Sequence, residues 1–162
     1  MTSRSQQSQS QINTYKQLTK RLKPEIRSRK VEIKQFENQV RITIPNDVLF
    51  PGGGWTIDRK GMEILDKIIP VLKDLKNQAI EVYGYTDNVP IESSLKAKFS
   101  TNMELSLARA LDIVNYLQKK GIDRDILSST GYGTEQPVAA NDTSQGRARN
   151  RRMEMAIMGP DG

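Results

Sequence analysis

Two residues of opposite charge stand out by type and spacing. The stretch from Tyr83 to Ala110 reads YGYTDNVPIESSLKAKFSTNMELSLARA. Its start is patterned as a buried strand ending at Thr86-Asp87-Asn88, and its end as a helix opening at Thr101. Asp87 sits at the strand exit and Arg109 two turns into the helix. A strand end facing a helix can hold these charges a few ångströms apart with a small ligand between them. A zwitterionic amino-acid group fits such a place, its ammonium on Asp87 and its carboxylate on the Arg109 fork. An internal salt bridge between strand and helix is the purely structural alternative. Arg109 shares its helix face with Leu105, Ile113 and Tyr116, and a guanidinium in apolar company needs a partner from the protein or from a ligand.

Other chemistries are poorly served. The 162 residues include no histidine and no cysteine, which removes thiolate metal sites, disulfides and the usual nucleophile–base pairs. A carboxylate beside an arginine makes a poor general base at neutral pH, so no catalysis, cofactor or metal is expected. The net charge of +6 is local: residues 1–40 hold nine Lys/Arg and three Glu, and the remaining 122 residues balance. A basic arm on an α/β domain leaves nucleic-acid binding as the alternative function. The neutral domain and the 6% aromatic content argue against it. No apolar run reaches the roughly 18–20 residues that span a bilayer.

The elements that must position Asp87 and Arg109 follow from periodicity. Residues 1–10 are polar and read as disordered. Ile12, Tyr15, Leu18, Leu22 and Ile26 recur at helical spacing, with Pro24 ending or kinking the helix near Lys23. Alternation around Asn38-Gln39 predicts a β-hairpin, stopped at Pro45-Asn46-Asp47. The glycine loop Phe50–Trp55 lacks the ending of a phosphate-binding P-loop. A helix is expected over Asp58–Lys76, with Pro70 as a kink or break, and then a strand over Ala79–Tyr85. Thr101 and Glu104 form a capping box for a helix running to Lys120, with Met103, Leu107, Leu111, Val114 and Leu117 as its core stripe. Strands over Ile126–Tyr132 and Arg151–Met158 complete an α/β sandwich, a mixed sheet with helices on one face.

Four blocks resemble one family in order and spacing: Tyr85-Thr86-Asp87-Asn88, Asn102-x-x-Leu105-Ser106-x-x-Arg109-Ala110, Gly131-Tyr132-Gly133-x-x-x-Pro137 and Gly146-Arg147-Ala148-x-Asn150-Arg151-Arg152. They resemble the OmpA-like domain from about Gln39 to Met158, and TDNVPI with NMELSLARA looks most like its flagellar stator branch. The resemblance implies a non-catalytic peptidoglycan-binding module that anchors a membrane complex to the cell wall. In such domains Asp87 and Arg109 would grip the diaminopimelate of the peptide stem. Thr86, Asn102 and Leu105 match family positions at or near the pocket, and Arg152 matches a block divided between pocket support and sheet closure. Gly53 and Gly54 would lend backbone donors to the ligand. A homodimer, a periplasmic location and a membrane or envelope partner reached through an absent transmembrane helix are implied in the same way. Residues 1–30 would then be a linker, disordered and then helical, residues 31–158 the domain and 159–162 a tail. Two departures stand out: Tyr85 replaces a frequent histidine, and the longer loop Val89–Phe99 either covers the pocket or serves as an interface.

Overall fold

The computed structural model describes residues 4–75 and 78–159. Met1–Ser3 of the leader, the expected helix end at Lys76 and residues 160–162 of the tail lie outside the described residues. The chain opens with α1 (Arg4–Arg21) and α2 (Lys23–Arg27), which carries Pro24 in its first turn, where a missing N–H costs nothing. The hairpin β1 (Glu32–Gln35) and β2 (Gln39–Pro45) forms as expected. A short helix α3 (Asn46–Leu49) and the turn Pro51–Gly53 lead to α4 (Arg59–Lys73). Then come β3 (Ile80–Tyr85), the short α5 (Ser93–Lys96), α6 (Asn102–Lys119), β4 (Leu127–Gly133), α7 (Ser144–Asn150) and β5 (Arg152–Met158).

The strands make one mixed sheet in the order β1-β2-β5-β3-β4, with β3 and β4 parallel and the other pairs antiparallel. One face builds the core. Val40, Ile42 and Ile44 of β2, Ile80 and Val82 of β3, and Met153, Met155 and Ile157 of β5 pack against helix residues in a single cluster. α4 contributes Ile64, Leu65, Ile68, Ile69, Val71 and Leu72, each worth roughly 1.5–3 kcal/mol when fully buried. Pro70 lies inside α4 without ending it, and Asp58 caps the helix by accepting from the Gly61 N–H at 2.9 Å.

Two expectations need correction. The leader is helical from Arg4, so residues 4–10 belong to α1. α1 is also no free linker: Leu18 and Leu22 are fully buried in the domain core, and residue 30 is no packing boundary. The core stripe of α6 is the second correction. Val114 and Leu117 are buried as expected, but Met103, Leu107 and Leu111 are exposed, and the helix buries Ser106, Ala110 and Ile113 in their place. The reason is close approach. A Cβ on Gly84 of β3 would collide with the Ser106 carbonyl oxygen, and one on Gly131 of β4 would stand 2.5 Å from the Leu107 nitrogen. The first turns of α6 therefore lie on a glycine surface with Ser106 and Ala110 down, which displaces Met103, Leu107 and Leu111 to the rim, while Ile113, Val114 and Leu117 enter the core further along.

Candidate functional site

Thr101 starts α6 by accepting from the Glu104 N–H at 3.2 Å, while the Glu104 carboxylate reaches back to the Ser100 N–H at 3.0 Å. This cap fixes where α6 begins, and Arg109, two turns on, lines a cleft of about 580 Å³ beyond the end of β3. Asp87, Thr86, Asn102, Leu105, Gly53 and Arg109 all line that cleft. Arg152 does not, and Gly54 touches it only through Arg109.

Asp87 and Arg109 are both buried at 7% exposure, and neither neutralises the other. The Asp87 carboxylate accepts from the Arg151 guanidinium at 2.8 Å and from the Val89 N–H at 3.0 Å. Arg109 donates through Nε to the Gly54 carbonyl at 2.8 Å and through Nη2 to the Gly53 carbonyl at 2.9 Å. Its guanidinium lies 5.4 Å from the centre of the Phe50 ring. Burial lowers the Arg109 pKa, opposed by the charges of Asp47 and then Asp87. Among the described residues no carboxylate reaches salt-bridge distance of Arg109. The strand-to-helix salt bridge is therefore absent, and a cation and an anion face one cleft with partners of their own.

The glycine loop has a different role from the expected one. Gly53 and its neighbour Gly52 have φ near +80°, a conformation glycine adopts without a Cβ penalty. The Gly53 N–H is used by the Phe50 carbonyl at 3.1 Å. The loop thus presents carbonyl acceptors that hold Arg109, in place of the expected Gly53 donor to a ligand.

The remaining predicted residues shape the cleft. The Thr86 hydroxyl donates to the Asp87 carbonyl at 2.8 Å, and the Thr86 N–H to Gly133 at 2.7 Å, fixing the strand exit. Asn102 donates to the Val89 carbonyl at 3.0 Å and pins the start of the long loop. That loop forms one wall, with Val89, Ile91 and Leu95 on the cleft. A small second cluster of Ile91, Phe99 and Leu105 with Trp55 and Leu95 holds it, the Trp55 and Phe99 rings meeting edge to face at 5.3 Å.

The Asn150-Arg151-Arg152 block divides three ways. Asn150 is structural: its side chain accepts from Val138 and Ala139 N–H and donates to Ala139 and Asn141. Arg151 enters the cleft. Arg152 turns to the open face of the sheet, where it lies 3.8 Å above the Tyr85 ring and 2.6 Å from Glu154. Tyr85 stacks on Tyr132 at 5.2 Å, and burial with the nearby Glu154 charge pushes its hydroxyl up to about 12. Tyr85 is thus held as a stacked, protonated tyrosine behind the strand exit.

Sequence reasoning missed Asp47 and treated Arg151 only as part of its block. Asp47 sits in the cleft wall just after Asn46, which ties three elements together. The buried Asn46 donates through its side chain to the Tyr85 carbonyl at 3.0 Å and through its N–H to the Arg151 carbonyl at 3.0 Å. A carboxylate following a strand-stopping Pro45-Asn46 was the available signal for Asp47. The parity of β5 was the signal for Arg151, since Met153, Met155 and Ile157 face inward and Arg152 must face away.

A mixed sheet with helices on one face carries, at its strand end, a cleft whose opposite charges are preset by the fold. The OmpA family pattern matches residues 49–151, and the chain belongs to the OmpA family. It is 32% identical over 147 residues to Motility protein B of Bacillus subtilis, covering 90% of this chain and 55% of that protein. It is 32% identical to the peptidoglycan-binding protein ArfA of Mycobacterium tuberculosis over 122 residues, 75% of this chain and 35% of that protein. The chain thus spans little more than half of the first relative and about a third of the second. The cell wall anchor of the T6SS from Pseudomonas aeruginosa superposes with a TM-score of 0.80 at 28% identity, over 88% of this chain and 96% of that one. Among the described residues no helix is long and apolar enough to cross a membrane.

Proposed function

We propose that this chain is a non-catalytic peptidoglycan-binding module that anchors a stator-like envelope complex to the cell wall from the periplasm. Asp87 takes the ammonium and Arg109 the carboxylate at the zwitterionic end of diaminopimelate in the peptide stem. The observation that supports this best is the separation of the two charges. Each is buried and each is held by the protein elsewhere, Asp87 by Arg151 and Arg109 by two carbonyls. Both still line one cleft. Charge-assisted hydrogen bonds at such a pair need no side-chain rearrangement, which lowers the ordering cost of binding. The relatives support the reading through a peptidoglycan-binding protein and a cell wall anchor.

Sedimentation with purified insoluble peptidoglycan tests it. The wild type is expected to pellet, while Asp87→Ala and Arg109→Ala remain in the supernatant with unchanged circular dichroism. A soluble wild type sinks the anchoring role, and equal pelleting of all three removes the two residues from it. The reading includes a homodimer, which multi-angle light scattering checks by a mass twice that of the chain.

A further inference from the structure

A second cavity lies on the other side of Arg151. This groove of about 450 Å³ crosses the open face of the sheet, between the β1–β2 hairpin and the α7–β5 junction. Asp47 and Arg151 belong to the walls of both, so cleft and groove adjoin across these two side chains. The groove is cationic, although the chain beyond residue 40 is charge-balanced. Its internal carboxylates are mostly neutralised: Glu154 lies between Arg41 at 2.7 Å and Arg152 at 2.6 Å, and Glu32 is 3.2 Å from Lys34. Arg29 and Arg149 are left without a carboxylate within salt-bridge distance among the described residues.

Arg29 is also held in an unusual place. Its φ is +61°, in the left-handed region that a long side chain seldom occupies. Hydrogen bonds from the Arg29 N–H to Ile26 and from the Lys30 N–H to Glu25 fix the turn, so Arg29 is presented at the groove by a defined backbone. Phe36 and Val138 add apolar wall, 46% and 48% exposed.

We infer that this groove is a second subsite, in which Arg29 and Arg149 bind the carboxylates of the peptide attached to the residue held by Asp87 and Arg109. This inference rests on the proposed reading of that cleft. The ligand class is then an acidic stem peptide and not a single amino acid. A planar guanidinium fork pairs two-point with a free carboxylate and has no such partner in a carboxamide. The groove therefore selects stems whose glutamate α-carboxylate is free over stems in which it is amidated.

Isothermal titration calorimetry with three probes separates the two subsites: diaminopimelate alone, the L-Ala-γ-D-Glu-diaminopimelate tripeptide, and the same tripeptide amidated at glutamate. The wild type is expected to bind the free-acid tripeptide about five- to tenfold more tightly than the amidated one, the size of two partly exposed ion pairs. The double variant R29Q/R149Q should lose that preference and keep its affinity for diaminopimelate. Asp87→Ala should lose all three. If the wild type binds diaminopimelate but does not distinguish the tripeptides, or if the double variant keeps the preference, the second subsite is overturned and the cleft reading stands. If the wild type binds none of the probes, the cleft reading falls and takes the subsite with it.

Discussion

Arg109 spans the Gly53 and Gly54 carbonyls with two nitrogens, and among the described residues Nη1 has no hydrogen-bond partner, a geometry only a planar fork can provide. Lysine offers one compact ammonium on a flexible stem. Arg109→Lys is therefore expected to leave at least one loop carbonyl poorly satisfied, at a cost of about 1–3 kcal/mol in urea denaturation, and to abolish pelleting with peptidoglycan. An unchanged midpoint would show that the loop does not depend on the fork. Asp87 and Arg109 were legible in the sequence because their types are unusual where they stand, at a strand exit and on an apolar helix face. Arg151 and Asp47 were not. The Arg151–Asp87 bond joins residues 64 positions apart, and although the parity of β5 turns Arg152 away from the core, no local pattern names the partner that Arg151 finds.

At the scale of elements, the cleft depends on how closely α6 lies on β3 and β4. Ser106 is fully buried there, its hydroxyl donating to Met103 at 2.8 Å and accepting from the Gly133 N–H at 2.9 Å. A methyl group at Gly131 would meet the backbone of α6 at 2.5 Å and must push the helix away. Gly131→Ala is expected to destabilise the fold by about 1–3 kcal/mol or more in chemical denaturation and to weaken peptidoglycan binding by moving Arg109. Wild-type stability in this variant would refute the close-packing account. The strands and the capping box of α6 were legible from alternation and from Thr101 and Glu104. The buried face of α6 was legible only at Val114 and Leu117; Met103, Leu107 and Leu111 were misassigned because a stripe rule weighs hydrophobicity and the first turns of this interface select for smallness.

For the molecule as a whole, the basic amino-terminal segment is part of the fold. Leu18 and Leu22 are completely buried against the sheet and α4, and Lys67 on α4 pairs with Glu25 at 2.6 Å. Leu18→Ala is expected to cost about 2–5 kcal/mol of unfolding free energy, a large share of an ordinary domain's stability. A loss below 0.5 kcal/mol would restore the picture of a detachable linker. The integration also brings Arg29, at the end of this segment, to the groove beside Arg149.

The sequence by itself determined the elements, the mixed α/β architecture and the two opposite charges. Those properties follow from local periodicity, capping residues and residue type, which neighbours along the chain express. Tertiary structure alone decided that Asp87 pairs with Arg151, that the glycine loop offers acceptors, that α1 joins the core, and that a cationic groove borders the cleft. Each of these depends on which distant backbones come within a few ångströms, and that is settled by the packing of helices on the sheet.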